Sequence, residues 1–121
     1  MSTYATHEFD LEELRRRIEA RDAAAQLDMF ADDAEVVIVD ATHPPSTPQR
    51  MAGRDAIKAY LDDLCARDMT HKVQHAMAAD DHAAFMVACR YADDTRVQCA
   101  TLLDVHDGHI TRQEVVQAWD A

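Results

Sequence analysis

Basic side chains are scarce in this chain: 12 Lys and Arg stand against 23 Asp and Glu, a formal net charge of −11 over 121 residues. A surface so acidic repels a phosphate backbone and an anionic membrane face, so neither nucleic acid nor a membrane is an expected partner. Long apolar runs are missing too, and no stretch approaches the ~20 residues that span a bilayer. The opening residues, Met1 to Glu8, lack the basic start and apolar core of a signal peptide, which makes the cytoplasm the expected location. With only two Gly and three Pro, no linker or low-complexity tract divides the chain. Cys65, Cys89 and Cys99 are odd in number and include no Cys-x-x-Cys pair, which argues against a disulfide framework or a zinc ribbon. They are expected as small buried hydrophobes. Seven histidines are present, yet no short-spaced pair falls on a common predicted face, so neither a metal nor any other cofactor is expected.

The plentiful residues describe a globular protein, 48% hydrophobic and 29% charged. A chain of this length buries roughly two-thirds of its unfolded surface, enough for one core. A single domain over 1–121 is expected, with 1–9 as a tail. The organising stretch is Asp28 to Asp40, where helical spacing of apolar residues gives way at Asp32-Asp33 to a β-branched run from Glu35 onward. Upstream, Asp10 is placed to cap a helix and Glu13 to complete a capping box. Leu11, Leu14 and Ile18 share its inner face, with Glu12/Arg16 and Glu13/Arg17 paired on the outer one. Asp22 starts a short second helix that carries Leu27, Met29 and Phe30 inward until the acidic pair ends it. Glu35 to Asp40 is the first strand, with Val36, Ile38 and Asp40 on one side. His43 to Pro48 is a loop, and Gly53 begins a helix whose Ile57, Tyr60, Leu61 and Leu64 face inward as far as Arg67.

Thr70 to Ala79 suits a helix or a strand. On a helix His71 and His75 are neighbours; on a strand they point the same way about 13 Å apart, too far to share a metal. Later stretches decide for the strand. Phe85, Val87, Cys89 and Tyr91 alternate, Val97, Cys99, Thr101, Leu103 and Val105 alternate, and Asp107-Gly108 is a hairpin turn signal. A two-residue turn there sets Val105 opposite Ile110, Leu103 opposite Arg112 and Thr101 opposite Glu114. Turns near Asp81 and Asp94 set His75 opposite Val87 and His71 opposite Tyr91. A bulge in the last strand would flip some of these.

This order of elements, with Phe30-Ala31-Asp32-Asp33-Ala34, Gly53-Arg54-Asp55-Ala56-Ile57, Thr70-His71-Lys72-Val73 and Asp107-Gly108-His109-Ile110, resembles the nuclear transport factor 2-like superfamily. Within it the chain looks most like the SnoaL-like polyketide cyclase and ketosteroid isomerase group. The resemblance implies an α+β fold: a cone-shaped α+β barrel, its N-terminal helices packed in a strongly curved, mainly antiparallel sheet, with a pocket at the wide end. The chain departs from the steroid isomerases, which use a strand Asp as base with a Tyr and a protonated Asp as donors. Their base position falls on Ile38, their helix Tyr is missing, and their second Asp falls near Thr101 or Leu102. Asp40, on the same side as Ile38, could serve from a shifted place.

The expected cavity is apolar, walled by Phe85 and Val87, with His71, His75, Tyr91, Thr101, Arg112, Glu114 and Asp40 as polar groups. Proton transfer suits such a site, because an imidazole takes or gives a proton near neutral pH. The first expectation is a cofactor-free isomerase, cyclase or dehydratase acting on a hydrophobic carbonyl or hydroxyl compound. His75, His71 and Asp40 would be its catalytic groups, and in related dehydratases and cyclases a strand His placed like His71 works as acid or base. The same residues have plainer readings: the histidines as structural strand-face groups, Asp40 bonding to the proline loop, Arg112 with Glu114 as a salt bridge, and Tyr91 as core. The second expectation is therefore a non-catalytic ligand-binding or dimerisation module. A third, epoxide hydrolysis, needs two carboxylates bracketing an Arg around a water, for which Asp40, Arg112 and Glu114 are the candidates. Ala76, Ala78, Met86, Ala88, Ala100 and Leu102, and with them Val115 and Trp119, fall on the other side of the sheet. An apolar face of that size predicts a homodimer packed sheet against sheet, with Gln74, Arg90, Gln98 and Asp104 at its margin.

Overall fold

The computed structural model describes residues 9–120. The chain runs α1 (Leu11–Glu19), α2 (Ala23–Leu27), β1 (Phe30–Val39), β2 (Gln49–Ala52), α3 (Arg54–Ala66), β3 (Met69–Ala78), β4 (His82–Tyr91), β5 (Arg96–His106) and β6 (His109–Trp119). The strands form one six-stranded open sheet in the order β2-β1-β6-β5-β4-β3. All its pairs are antiparallel except β1 with β6. The fold is the expected α+β cone, in which the sheet curves around the three helices. Of the tail expected over residues 1–9, only Phe9 lies among the described residues, and it packs on the core.

Both short N-terminal helices start where a side chain satisfies an orphan amide. Asp10 Oδ1 accepts from the Glu13 N–H at 2.9 Å, and Asp22 Oδ1 from the Ala25 N–H at 3.0 Å. The capping box at α1 is only half made, because the Glu13 carboxylate turns to Arg16 and Arg17. Leu14 and Phe30 are 2% exposed, Ile57 and Ile110 not at all, and these side chains make the centre of the core.

Two expected boundaries move. The Phe30-Ala31-Asp32-Asp33-Ala34 segment does not end a helix; it belongs to β1. Phe30 pairs with Ile110 and Glu35 with Arg112, so residues 31–34 of β1 stand against Thr111 alone. The excess is a bulge that swings Asp32 and Asp33 into water while Ala34 stays fully buried. The second change is β2, an edge strand absent from the sequence reading. Its residues Gln49 to Ala52 pair with Glu35 to Ile38, and only Met51 is buried.

Gly53 caps α3 at φ +86° and ψ 161°, a region open to glycine alone among common residues. Its N–H reaches the Ala34 carbonyl at 2.9 Å, and Arg54 Nη1 donates to the carbonyls of Phe30 at 2.9 Å and Leu27 at 3.2 Å. Nothing lies within 4 Å of where a Gly53 side chain would begin, so a methyl group there meets no clash. The cost of Gly53→Ala is therefore conformational. We expect a loss of about 1–3 kcal/mol of stability, read as a lower urea midpoint at unchanged slope; a variant as stable as the parent would show that this backbone angle is not required.

Candidate functional site

Register decides which side chains enter the cone. Cys89 stands opposite both His71 and Val97, and Val97 opposite Trp119, so these form one inward layer. The next layer is Val73, Val87, Cys99 and Gln117; below it come Phe85, Thr101 and Val115. Leu14 and Ile18 of α1, Gln26 of α2, and Tyr60, Leu64 and Cys65 of α3 close the opposite wall. They enclose an inner chamber of about 80 Å³. A vestibule of about 400 Å³ adjoins it, lined by Ile38, Gln49, Met51 and Asp40, and the two share Tyr60, Leu64, Arg67, Gln117 and Trp119.

Among the described residues, no Asp or Glu lines the inner chamber, and Arg67 is its one permanently charged group. His71 is half-buried; its Nδ1 lies 3.2 Å from Cys89 Sγ, and its Nε2 is sealed from solvent without a partner. Cys99 hydrogen-bonds Cys89 as well, and that bond, joined by the one from His71, outweighs burial and holds the Cys89 thiol well below the ordinary range. Cys99 is pushed up by donating to Cys89 and by burial. Burial also pushes the Tyr60 hydroxyl up, so it stays protonated. Cys65 accepts from Gln26 Nε2 at 3.5 Å and is raised by burial. At the rim, Arg67 donates to the Tyr91 hydroxyl at 3.0 Å and to Asp63 at 2.7 Å, and the Tyr91 ring stacks on Trp119 with centroids 5.7 Å apart.

Of the residues proposed from sequence, His71, Tyr91, Thr101, Phe85 and Val87 line the inner chamber. Four others do not: Arg112, Glu114 and His75 lie outside it, and Asp40 lines only the vestibule. Arg112 and Glu114 face outward, because the extra residue Thr111 shifts β6 by one position: Thr101 stands opposite Val115 and Leu103 opposite Gln113. Outside, Arg112 bridges Glu114 at 3.0 Å and Glu35 at 3.6 Å. The same shift corrects the outer face, where Val116 stands in place of Val115. His75 also leaves the cavity: it sits at φ +56° in a bulge between the pairs Gln74–Met86 and Met77–Ala84 and is exposed. With Arg112 and Glu114 outside, the constellation required for epoxide hydrolysis is not assembled.

Asp40 reaches only the vestibule. Its Oδ1 accepts from the Thr42 N–H at 2.9 Å, the Thr42 hydroxyl at 3.0 Å and the His43 N–H at 2.8 Å, and stands 2.9 Å from His43 Nδ1. Burial alone would raise its pKa; the bonds from His43 and Thr42 outweigh that and lower it. His43 is thereby half-buried. Tyr60, Cys89 and Cys99 were not singled out from the sequence, although Tyr60 is the one hydroxyl in the α3 stripe and both thiols share the parity of Phe85 or Thr101. Gln113 and Gln117 carried no signal ahead of the bulge.

The fold and its two-chambered hollow define a small nuclear transport factor 2-like protein. A family model of the SnoaL-like domain matches residues 11–113, and the chain belongs to that family. Solved structures agree on the fold. A proposed ketosteroid isomerase from Kribbella flavida is 20% identical with a TM-score of 0.74, over 91% of this chain and 74% of that one. The epoxide hydrolase/cyclase-like enzyme SalBIII of pyran ring formation in salinomycin is 19% identical with a TM-score of 0.70, over 89% and 87%. A protein of unknown function from Mesorhizobium loti is 20% identical with a TM-score of 0.73, over 92% and 88%. No curated protein matches the chain.

Asp40 yields a pH test of the site's outer wall. Its folded pKa lies below the ordinary 3.8, so its contribution is complete above the unfolded value and is lost as pH falls through the folded one. Asp40→Ala should lower stability by about 1–2 kcal/mol at neutral pH, and the gap to the parent should narrow as pH falls below the ordinary 3.8 through the lowered folded value. A gap that persists undiminished in acid would assign the loss to packing instead.

Proposed function

We propose that this protein moves protons on a small hydrophobic carbonyl or hydroxyl compound without a cofactor, as an isomerase, cyclase or dehydratase. The observation that carries this reading is the His71 Nε2, sealed from water, unpartnered and facing a chamber that holds no carboxylate. A buried nitrogen without a partner costs about 1–3 kcal/mol, which a substrate hydrogen bond would recover. With Nδ1 engaged by the Cys89 sulfur, Nε2 is the ring nitrogen left to exchange a proton with a substrate. Tyr60, held protonated by burial, supplies a donor for the substrate oxygen. Asp40 takes no part in proton transfer and holds the vestibule loop. His75 has no catalytic role. The inner chamber admits the reacting end of a substrate, and the vestibule beside Ile38, Met51 and Trp119 admits its body.

Proton exchange can be measured before any natural substrate is known. Incubated in D₂O with a panel of small cyclic ketones and enones, the protein should speed α-deuteration of at least one, followed by NMR. His71→Ala should slow that exchange roughly 100-fold or more, within the range general acid–base groups contribute. Tyr60→Phe should slow it less, and Arg112→Gln should leave it unchanged. Binding of a ketone with equal exchange in parent and His71→Ala would replace this proposal by a ligand-binding module.

The outer sheet face suits a second copy of the chain. Leu102 and Val116 are 58% and 48% exposed, with Ala88 on β4 and Ala100 on β5 beside them. Arg90 and Arg96 pair at one end of this strip, and Asp104, Arg112 and Glu114 stand at the other. A two-fold axis through the strip would cover its exposed apolar side chains with the partner's. We expect a dimer by light scattering that Leu102→Asp converts to monomer; a monomeric parent at micromolar concentration would rule the contact out. Three unbridged thiols suit a reducing compartment, in line with the expected cytoplasmic location.

A further inference from the structure

The proposed proton transfer uses one side of the His71 ring and leaves the sulfur on the other side without a task. From the shared chamber, the His71–Cys89 contact and the neighbouring Cys99, we propose that Cys89 is a nucleophile that captures a small soft electrophile, an α,β-unsaturated carbonyl compound, as a thioether. Three features carry this. Cys89 is 7% exposed and Cys99 7%, so neither meets bulk solvent, yet both open into the inner chamber that joins the vestibule. His71 Nδ1 lies 3.2 Å from Cys89 Sγ, the arrangement by which an imidazole activates a thiol. Cys99 stands on the adjacent strand facing the same way, with Cys99 opposite Val87 and Cys89 opposite Val97.

The two thiols are not equivalent. His71 Nδ1 lies beside Cys89 and not beside Cys99, so the negative charge settles on Cys89. The other titratable side chains around the chamber are Tyr60 and Cys65 of α3, Arg67 at its C-terminal end and Tyr91 of β4. None is an acid that would compete for the His71 proton, and Arg67 adds positive charge. Diagonal positions on adjacent strands sit about 7–8 Å apart at the backbone, wide for a disulfide, so the pair is better suited to sharing a proton than to bridging.

In the reaction, the Cys89 thiolate pair of electrons forms the C–S bond at the β-carbon. The alkene π pair shifts to the α-carbon and its carbonyl as an enolate. His71, doubly protonated in this form, passes its Nε2 proton to the α-carbon and is left neutral. No oxidant or reductant is consumed, and the reverse steps release the compound. This site uses the same chamber and the same ring as the proposed function but does not depend on turnover of a ketone.

The test is alkylation of the full-length protein with iodoacetamide at pH 6 and pH 8, followed by peptide mapping. Cys89 should react first, its rate changing less than about threefold between the two, where an ordinary thiol changes nearly 100-fold. Methyl vinyl ketone at equimolar amount should add one probe mass at Cys89 and block later alkylation there. His71→Ala should make the pH dependence steeper, and Arg112→Gln, outside the cone, should change nothing. Cys65 reacting while Cys89 stays unmodified, or a Cys89 rate that climbs nearly 100-fold from pH 6 to pH 8, would overturn the assignment. The profile of the unaltered protein decides even if a variant fails to fold. Slow ketone exchange alongside a reactive Cys89 would remove the proton-transfer reading and leave this one standing.

Discussion

One surplus residue, Thr111, sets what the hollow of this molecule contains. Val105 pairs with Ile110 on the near side of it and Asp104 with Arg112 on the far side, while the Thr111 hydroxyl closes onto the Asp104 carbonyl at 3.2 Å. Because side chains alternate across a strand, a slip of one position exchanges inside for outside along the rest of β6. Gln113, Val115 and Gln117 enter the cone; Arg112, Glu114 and Val116 leave it. The turn beside the bulge helps to fix this, since Asp107 and Gly108 both adopt positive φ and make the tight primed turn whose twist suits a hairpin. On the β4 side, the Val105 N–H donates to the Asp81 carbonyl on the β3–β4 turn at 2.9 Å. The shift in β6 spares the core two charges.

A second constraint ties the helices to the sheet. Two of the four sequence motifs that carried the family likeness, around Ala34 and around Gly53, touch each other: the Gly53 amide bonds the Ala34 carbonyl, and Arg54 braces Phe30 and Leu27. This clasp fixes where α3 begins and hence which of its faces looks into the cone. Tyr60 and Leu64 then fall on the wall shared by the two chambers. Arg21, at positive φ after α1, adds a tie from the other side by donating to the Arg67 and Met69 carbonyls. The position of Tyr60 is thus a consequence of backbone bonds about two helical turns away.

Legibility from sequence followed the range of the forces involved. Caps at Asp10 and Asp22, the α3 stripe and the Asp107-Gly108 turn depend on residues a few positions apart, and all were visible. The strand assignment of residues 70–79 followed from the hairpins beyond it. What stayed hidden depends on counting across strands. Neither bulge, at Thr111 or at His75, has a local signature, and each moved expected site residues, Arg112 with Glu114 in one case and His75 in the other. β2 was hidden because Gln49 to Ala52 is short and one-sided, and is a strand only because β1 offers it an edge. His71 survived both shifts, since its parity with Val73 and Met69 is set before the β3 bulge begins.

The electrostatics of the hollow restrict its chemistry more than its shape does. The chain carries 23 acidic residues, yet among the described ones none lines the inner chamber. A carboxylate placed there would either need a partner charge or give up its own by taking a proton. An imidazole and a thiol escape that penalty, because each has a neutral form close in energy to its charged one and the pair can pass a proton between them without net charge. Cys89 and His71 at 3.2 Å are such a pair. A steroid-isomerase-type base would put a fixed negative charge on β1, where this protein has Ile38, 3% exposed and packed in the core. Under the proposed proton transfer, the proton store therefore sits on β3 and β4 in place of a carboxylate on β1. A ligand that entered beside Asp40 would pass Tyr60, which lines both chambers, before reaching His71 and Cys89.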